Sequence, residues 1–308
     1  MANYRKIIEG WKEGVVSWRI RDTLYISIPF TWLVGKALEI IRYSDVKHIL
    51  VGGPGAILKK ECFEGIALVK DSIAPLEPII FHNPLATFTT RGCVNRCKFC
   101  AVPRIEGDFK EIHDFSPRPL ICDNNFLASS RKHFDRVVDR LKGLPYVDFN
   151  QGLEAKRFIP YISNRLRELK EVKIRFAFDK LREESAVVDA FKLALKDGFR
   201  HLSCYLLVGF DDTPAEALYR VEVLQKLSKK IEIYPMRYQP LDADKRNEFV
   251  NKEKGWTDYE LKRFCVYWRG HGIFLKKSSF DDFEPRHEIL RGFFVDTYKN
   301  QRKGLYSD

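Results

Sequence analysis

The sequence predicts an α/β fold: a partial (β/α)6 TIM-like barrel with a small N-terminal α/β segment. Three observations lead there. Through the middle of the chain, short apolar segments alternate with amphipathic stretches of helical length. Hydrophobic residues make up 45% of the 308, with 23 Phe and 13 Tyr, which fills a sizeable core and argues against disorder. A separate strand–helix–strand pattern precedes the regular part and closes on a glycine-rich turn.

In chain order, residues 24–29 read as a buried strand, 33–43 carry helical periodicity, and 48–51 form a second apolar strand ending in Gly52-Gly53-Pro54-Gly55. That turn fits neither the dinucleotide fingerprint nor the P-loop spacing, and proline interrupts it, so a tight strand-to-helix turn is the better reading. A proline-containing connector, 73–84, leads to six predicted strands at 86–90, 120–122, 147–149, 172–178, 202–208 and 231–237. Predicted helices at 129–141, 159–169, 183–196 and 214–229 lie between them. Strands alternating with helices imply crossovers and a parallel sheet, and six such units favour a barrel or partial barrel over an open Rossmann sheet. A further helix is predicted at 259–268 and a short strand at 272–275. The expected organisation is a truncated Rossmann-like segment at 1–84, the barrel at 85–240 and an extension over the barrel mouth at 241–308.

Charge and cysteine usage narrow the class. The formal charge is +11, with dispersed basic pairs such as Lys59-Lys60, Lys229-Lys230, Lys276-Lys277 and Arg302-Lys303. Such a field attracts nucleic acid, or steers an acidic electron donor onto the protein, or serves solubility alone. No run approaches about 18 consecutive apolar residues, and residues 1–10 lack a signal-peptide core, so a cytoplasmic protein without membrane association is expected. Of seven cysteines, three crowd into positions 93–100; Cys62, Cys122, Cys204 and Cys265 are scattered among apolar neighbours, as buried thiols are.

The crowded stretch is Cys93-Val94-Asn95-Arg96-Cys97-Lys98-Phe99-Cys100, directly after the first barrel strand. Structural zinc sites take four protein ligands, usually from two paired C-x2-C motifs, and no partner pair follows here; His113 is a candidate fourth ligand for the zinc alternative. Three thiolates on a cubane leave one iron without a protein ligand. A small molecule can chelate that iron. At this motif the sequence resembles the radical S-adenosylmethionine superfamily, which shares the cysteine spacing and an aromatic residue, Phe99 here, before the third cysteine. The resemblance implies that Cys93, Cys97 and Cys100 hold a [4Fe–4S] cluster and that the cofactor's amino and carboxylate groups bind the open iron. One electron then breaks the sulfonium bond, giving methionine and a 5′-deoxyadenosyl radical that takes a hydrogen atom from the substrate.

Chemistry in parallel barrels sits at the carboxyl ends of the strands. Cys122-Asp123-Asn124-Asn125-Phe126 resembles the D-N-x-F variant of the cobalamin-domain and methylthiotransferase-like branch, so Asp123, Asn124 and Asn125 are candidates to hold the cofactor's amino group; an Asx-rich turn also fits. Gln151-Gly152 resembles the third-strand motif that approaches the cofactor. Arg175 is a candidate for the cofactor carboxylate and Asp179 for ribose hydroxyls, although alternation puts both on the face of Ala177 and leaves ordinary polar positions open. Gly209 is similar to the glycine that lets backbone approach adenine, while Asp212 or Thr213 also suits the N-cap of a helix opening at Pro214. In the sixth strand Met236 and Tyr238 suit the core, and Arg237 and Gln239 the substrate side.

The departures from the family matter as well. The N-terminal segment resembles the end of a cobalamin module but lacks its Asp-x-His-x-x-Gly loop, so no cobalamin is expected. Past residue 240 only Cys265 remains, and Cys62 stands alone in the N-terminal segment, so neither an auxiliary cluster nor methylthio transfer is expected. Cys122 and Cys204 fit core thiols better than hydrogen-atom donors. Trp256, Trp268 and Lys276-Lys277 suggest a base-stacking platform or, more simply, helix packing. The expected function is cleavage of S-adenosylmethionine and hydrogen abstraction from an unidentified nucleic acid, peptide or metabolite, with electrons from a flavodoxin or ferredoxin. The alternative is a non-catalytic zinc- or cluster-bearing nucleic-acid-binding protein.

Overall fold

The computed structural model describes residues 10–12, 14–70, 78–269 and 280. Its strands are β1 (Val16–Ile20), β2 (Thr23–Ser27), β3 (His48–Gly52), β4 (Leu68–Val69), β5 (Ala86–Thr87), β6 (Thr90–Arg91), β7 (Lys110–Glu111), β8 (Leu120–Ile121), β9 (Val147–Phe149), β10 (Val172–Ala177), β11 (His201–Val208) and β12 (Glu232–Arg237). Its helices are α1 (Val34–Arg42), α2 (Pro54–Leu58), α3 (Ile79–His82), α4 (Val102–Ile105), α5 (Arg131–Leu141), α6 (Pro160–Leu166), α7 (Glu184–Lys196), α8 (Pro214–Leu227) and α9 (Asp258–Arg269). The fold is mixed α/β. A six-stranded sheet runs β5-β8-β9-β10-β11-β12, a four-stranded sheet runs β1-β2-β3-β4, and β6 and β7 form a small antiparallel ribbon.

Every predicted strand from 24 to 237 is present, as are the predicted helices through 269. The strand predicted at 272–275 and the pairs Lys276-Lys277 and Arg302-Lys303 lie outside the described residues. Strand β4 and the short helices α3 and α4 are additional, as are two further features. Strand β1 pairs antiparallel with β2, and the β6–β7 ribbon brackets the cysteine motif. No helix among the described residues is long and apolar enough to cross a membrane.

The chain divides into two compact units. The first holds the described residues within 1–151, 169–171 and 239–246. Its N-terminal core gathers Ile26, Ile28, Val34, Ala37, Val51, Ala56 and Phe63. The glycine turn serves that packing: Gly53 has φ +87, and a Cβ on Gly55 would meet the Phe30 carbonyl oxygen at 2.5 Å. Only glycine lets α2 start this close to the end of β2. Tight packing, rather than phosphate binding, accounts for the motif.

The second unit holds the described residues within 152–168, 172–238 and 247–308. Alternation along its strands separates two faces. On one face Ile174, Phe176, Leu202, Cys204, Leu206, Val208 and Ile233 are all buried. Against this face α7 sets Val187, Ala190, Phe191 and Ala194, a stripe at helical spacing, with the Phe191 ring 4.9 Å from that of Phe176. The other face carries Arg175, Ala177, Ser203, Tyr205, Leu207, Tyr234 and Met236, in register across β10, β11 and β12. Ala177 and Met236 there are exposed and Tyr205, Leu207 and Tyr234 half-buried. Met236 is therefore a surface residue of this unit, not part of its core.

Candidate functional site

The cysteine motif occupies the excursion between β6 and β7. Gly92 turns the chain with φ +74, and a Cβ there would collide with the Asp108 carbonyl oxygen. Glu106, just past α4, accepts the Gly92 N–H at 2.6 Å and pairs with Arg91 at 2.9 Å, so one carboxylate fixes the entry to the loop. Cys93, Cys97 and Cys100 are half-buried and outside any disulfide. The Cys100 N–H donates to the Cys97 carbonyl at 3.0 Å, which curls the C-x2-C stretch into a turn. Cys93 Sγ accepts from the Asn95 backbone N–H at 3.3 Å and from the Asn125 side-chain amide at 3.5 Å. Phe99 is half-buried beside the third cysteine.

The D-N-x-F-like segment divides its labour. Asn125 reaches the cysteine loop, as just described. Asp123 is buried, with Oδ1 accepting the Thr89 N–H at 2.6 Å and the other oxygen accepting the Thr89 hydroxyl. Burial pushes its carboxyl up to about 6, against hydrogen bonds from Thr89 and Thr90 that pull it down. Asp123 thus ties the segment after β8 to the chain between β5 and β6. Asn124 is half-buried and Gln151 exposed in the turn after β9, where Gly152 takes φ +92.

In the second unit, Arg175 is buried on the polar face of β10, its guanidinium 5.7 Å from the centre of the Tyr205 ring. On the same face the Ser203 hydroxyl is buried without a hydrogen-bond partner. Asp179 Oδ1 accepts the Leu207 N–H at 3.0 Å, and burial raises its carboxyl to about 6. Gly209 has φ +80, and the space a Cβ would take is filled by Leu261 of α9 at 2.8 Å. Its close neighbour in this structure is that side chain. Thr213 is the N-cap of α8 and forms a capping box with Glu216. Asp212 instead pairs with the fully buried Arg220 at 2.5 Å, and Arg220 also donates to the carbonyls of Phe178 and Leu207 at 2.7 and 3.0 Å. Arg237 binds Asp258 at 2.9 Å and the Phe249 carbonyl at 2.8 Å, anchoring the segment that follows β12.

Cys122 and Cys204 are buried and burial raises both thiols, as core thiols require. Trp256 is buried with its indole N–H on the Asp212 carbonyl at 2.7 Å, so it packs α9 rather than presenting a stacking face. Sequence reasoning missed Glu106, Glu111, His133 and Arg220. A polar residue on the apolar stripe of an amphipathic helix was the available signal for His133, which shares its face with Phe134, Val137 and Leu141. No comparable signal marks the others, whose partners are distant in sequence.

The donor set suits an iron–sulfur cluster: three sulfur ligands in one loop, with N–H groups directed at Cys93. It suits zinc less well. A zinc–sulfur bond of about 2.3 Å puts tetrahedral thiolates roughly 3.8 Å apart. Among the described residues, the trio whose donor atoms lie within 4.8 Å of one another is Glu111, His113 and His133, not the three cysteines. No family model, curated protein or solved structure matches the chain.

Proposed function

We propose that the chain is a radical S-adenosylmethionine enzyme in which Cys93, Cys97 and Cys100 hold a [4Fe–4S] cluster. The observation that carries this reading is the half-buried C-x3-C-x2-C loop after the first strand of a six-stranded sheet, held by Glu106 and hydrogen-bonded at sulfur by Asn95 and Asn125. The sheet is taken as the partial barrel that the sequence predicts. When bound, the cluster and S-adenosylmethionine supply, on reduction, a 5′-deoxyadenosyl radical. The chain's own residues do the rest. Three thiolates leave one ligand position open, and two N–H groups withdraw charge from Cys93 Sγ, which favours the reduced cluster. Arg175 and Ser203 offer a fixed cation and a hydroxyl to a polar ligand on the open face of β10–β12. The +11 charge suits an acidic flavodoxin or ferredoxin as electron donor, and equally a nucleic-acid substrate.

The test is anaerobic reconstitution with iron and sulfide, followed by dithionite reduction with S-adenosylmethionine and quantification of 5′-deoxyadenosine. Product from the wild type and none from Cys97→Ala is the expected result. A loaded cluster that yields no product removes the cofactor reading. Zinc in place of iron in anaerobically purified protein favours the non-catalytic nucleic-acid-binding alternative.

A further inference from the structure

The ribbon that brackets the cysteine loop carries a second ligand set that the thiols do not use. Glu111 ends β7, His113 follows two residues later, and His133 sits in the first turn of α5, behind its N-cap Ser130. One side chain from each lies within 4.8 Å of the others at its donor atom. Glu111 is half-buried, His113 exposed and His133 almost fully buried, at 1% exposure.

The tautomer of His133 follows from its contacts. Nε2 is 2.9 Å from the Thr89 carbonyl oxygen, which can only accept, so Nε2 carries the proton and Nδ1 presents a lone pair. Nδ1 is buried without a hydrogen-bond partner and faces Glu111 Oε2 at 3.9 Å. Two acceptors facing one another, the imidazole nitrogen buried, call for a donor or a cation between them. A divalent ion at about 2.0–2.1 Å from nitrogen and about 2.0–2.2 Å from oxygen sets tetrahedral donors about 3.4 Å apart, so the observed 3.9 Å closes onto an ion with a shift of about half an ångström. The Ser130 N–H, 2.6 Å from Glu111 Oε1, holds the carboxylate in place.

We propose that Glu111, His113 and His133 form a binding site for one divalent transition-metal ion of the zinc type, separate from the three cysteines. Two imidazoles and a carboxylate are a zinc ligand set that leaves a fourth position for water. The ion would join the β6–β7 ribbon to α5. Through Thr89, which holds both His133 and Asp123, it would stiffen the base of the cysteine loop.

His113 supplies a distinctive test. Arg136 donates to its Nδ1 at 2.9 Å, and arginine cannot accept. With that contact in place Nδ1 is occupied and Nε2 holds the proton, so either nitrogen binds an ion only once Arg136 lets go. The full-length Cys93→Ala/Cys97→Ala/Cys100→Ala variant, stripped with a chelator, is titrated with Co2+ and followed by visible absorption. The expected result is one ion per chain with nitrogen–oxygen bands and no thiolate charge transfer. Adding His113→Ala weakens binding about tenfold or more, whereas Arg136→Gln tightens it. No Co2+ bound to a variant with a native circular dichroism spectrum overturns the proposal, as does binding indifferent to His113→Ala. Should the triple variant fail to fold, wild-type protein serves: the nitrogen–oxygen band must survive Cys97→Ala and vanish with His113→Ala.

Discussion

Gly92 and Gly209 each open a loop at a left-handed backbone angle, φ +74 and φ +80, and each gives its N–H to a carboxylate farther along the loop. Glu106 accepts in the first loop and Asp212 in the second, at 2.6 and 2.8 Å. From there the two diverge. The second loop is closed: Leu261 fills the space over Gly209, and Asp212 is neutralised by buried Arg220. The first stays open, with three thiols half-buried and Val94, Arg96 and Lys98 exposed. The same backbone device therefore builds either a structural plug or a presentation loop, and the side chains decide which.

Four experiments test this contrast. The largest effect is expected from Arg220→Met, which leaves Asp212 buried without its cation; a loss of about 3–5 kcal/mol in urea unfolding is expected, partly recovered by adding Asp212→Asn. Next comes pH. Because burial raises Asp123 to about 6, the native state holds a proton that the unfolded chain has already lost, so its contribution to stability is present below the ordinary aspartate pKa and is lost as pH rises toward 6. The stability of wild type relative to Asp123→Asn should fall by about 3 kcal/mol between pH 3.5 and pH 7, measured by unfolding at each pH. Flat behaviour would count against a neutralised Asp123.

Gly92→Ala and Gly209→Ala compare the two turns directly. Each forces a left-handed alanine, costing about 1–3 kcal/mol. At Gly209 the obstacle is a side chain, so Leu261→Ala should restore part of the loss. The Asp108 carbonyl blocks Gly92, and no side-chain trim should rescue it; iron loading of the Gly92→Ala variant should drop with it. The smallest change in stability, about 1 kcal/mol or less, is expected for Asn125→Ala. There the readout is the reduction potential, which should become more negative when the N–H···S bond to Cys93 is lost, by electrochemistry of the reconstituted protein.

The parts that could be read in advance are those whose information is local. Strand β10 is buried at five of its six residues and β11 at five of its eight, so both stand out as strand-length stretches, and α7 declares itself by spacing. The cysteine spacing likewise lies within eight residues. Strands of two residues such as β6 and β7 have no period to detect, whereas β1 carries a strand's alternation, Val16, Trp18 and Ile20 against Ser17 and Arg19, over only five residues. Asp123 and Asp212 were visible as loop carboxylates. That one would be bound to Thr89 and the other to Arg220 depends on neighbours brought together only by the folded chain.

In both larger sheets each strand lies beside the strand that precedes it in that sheet along the chain, from β1 to β4 and again from β5 through β8 to β12. This bears on how the protein is made. A chain emerging from the ribosome can add each new strand to an edge already formed, because the partner of each strand in its sheet is the one made just before it. Sequential growth leaves one fresh edge at a time to be guarded against aggregation. The short strand β5, which must wait for β8 across the whole cysteine excursion, is then the step at which synthesis and correct assembly are most loosely coupled.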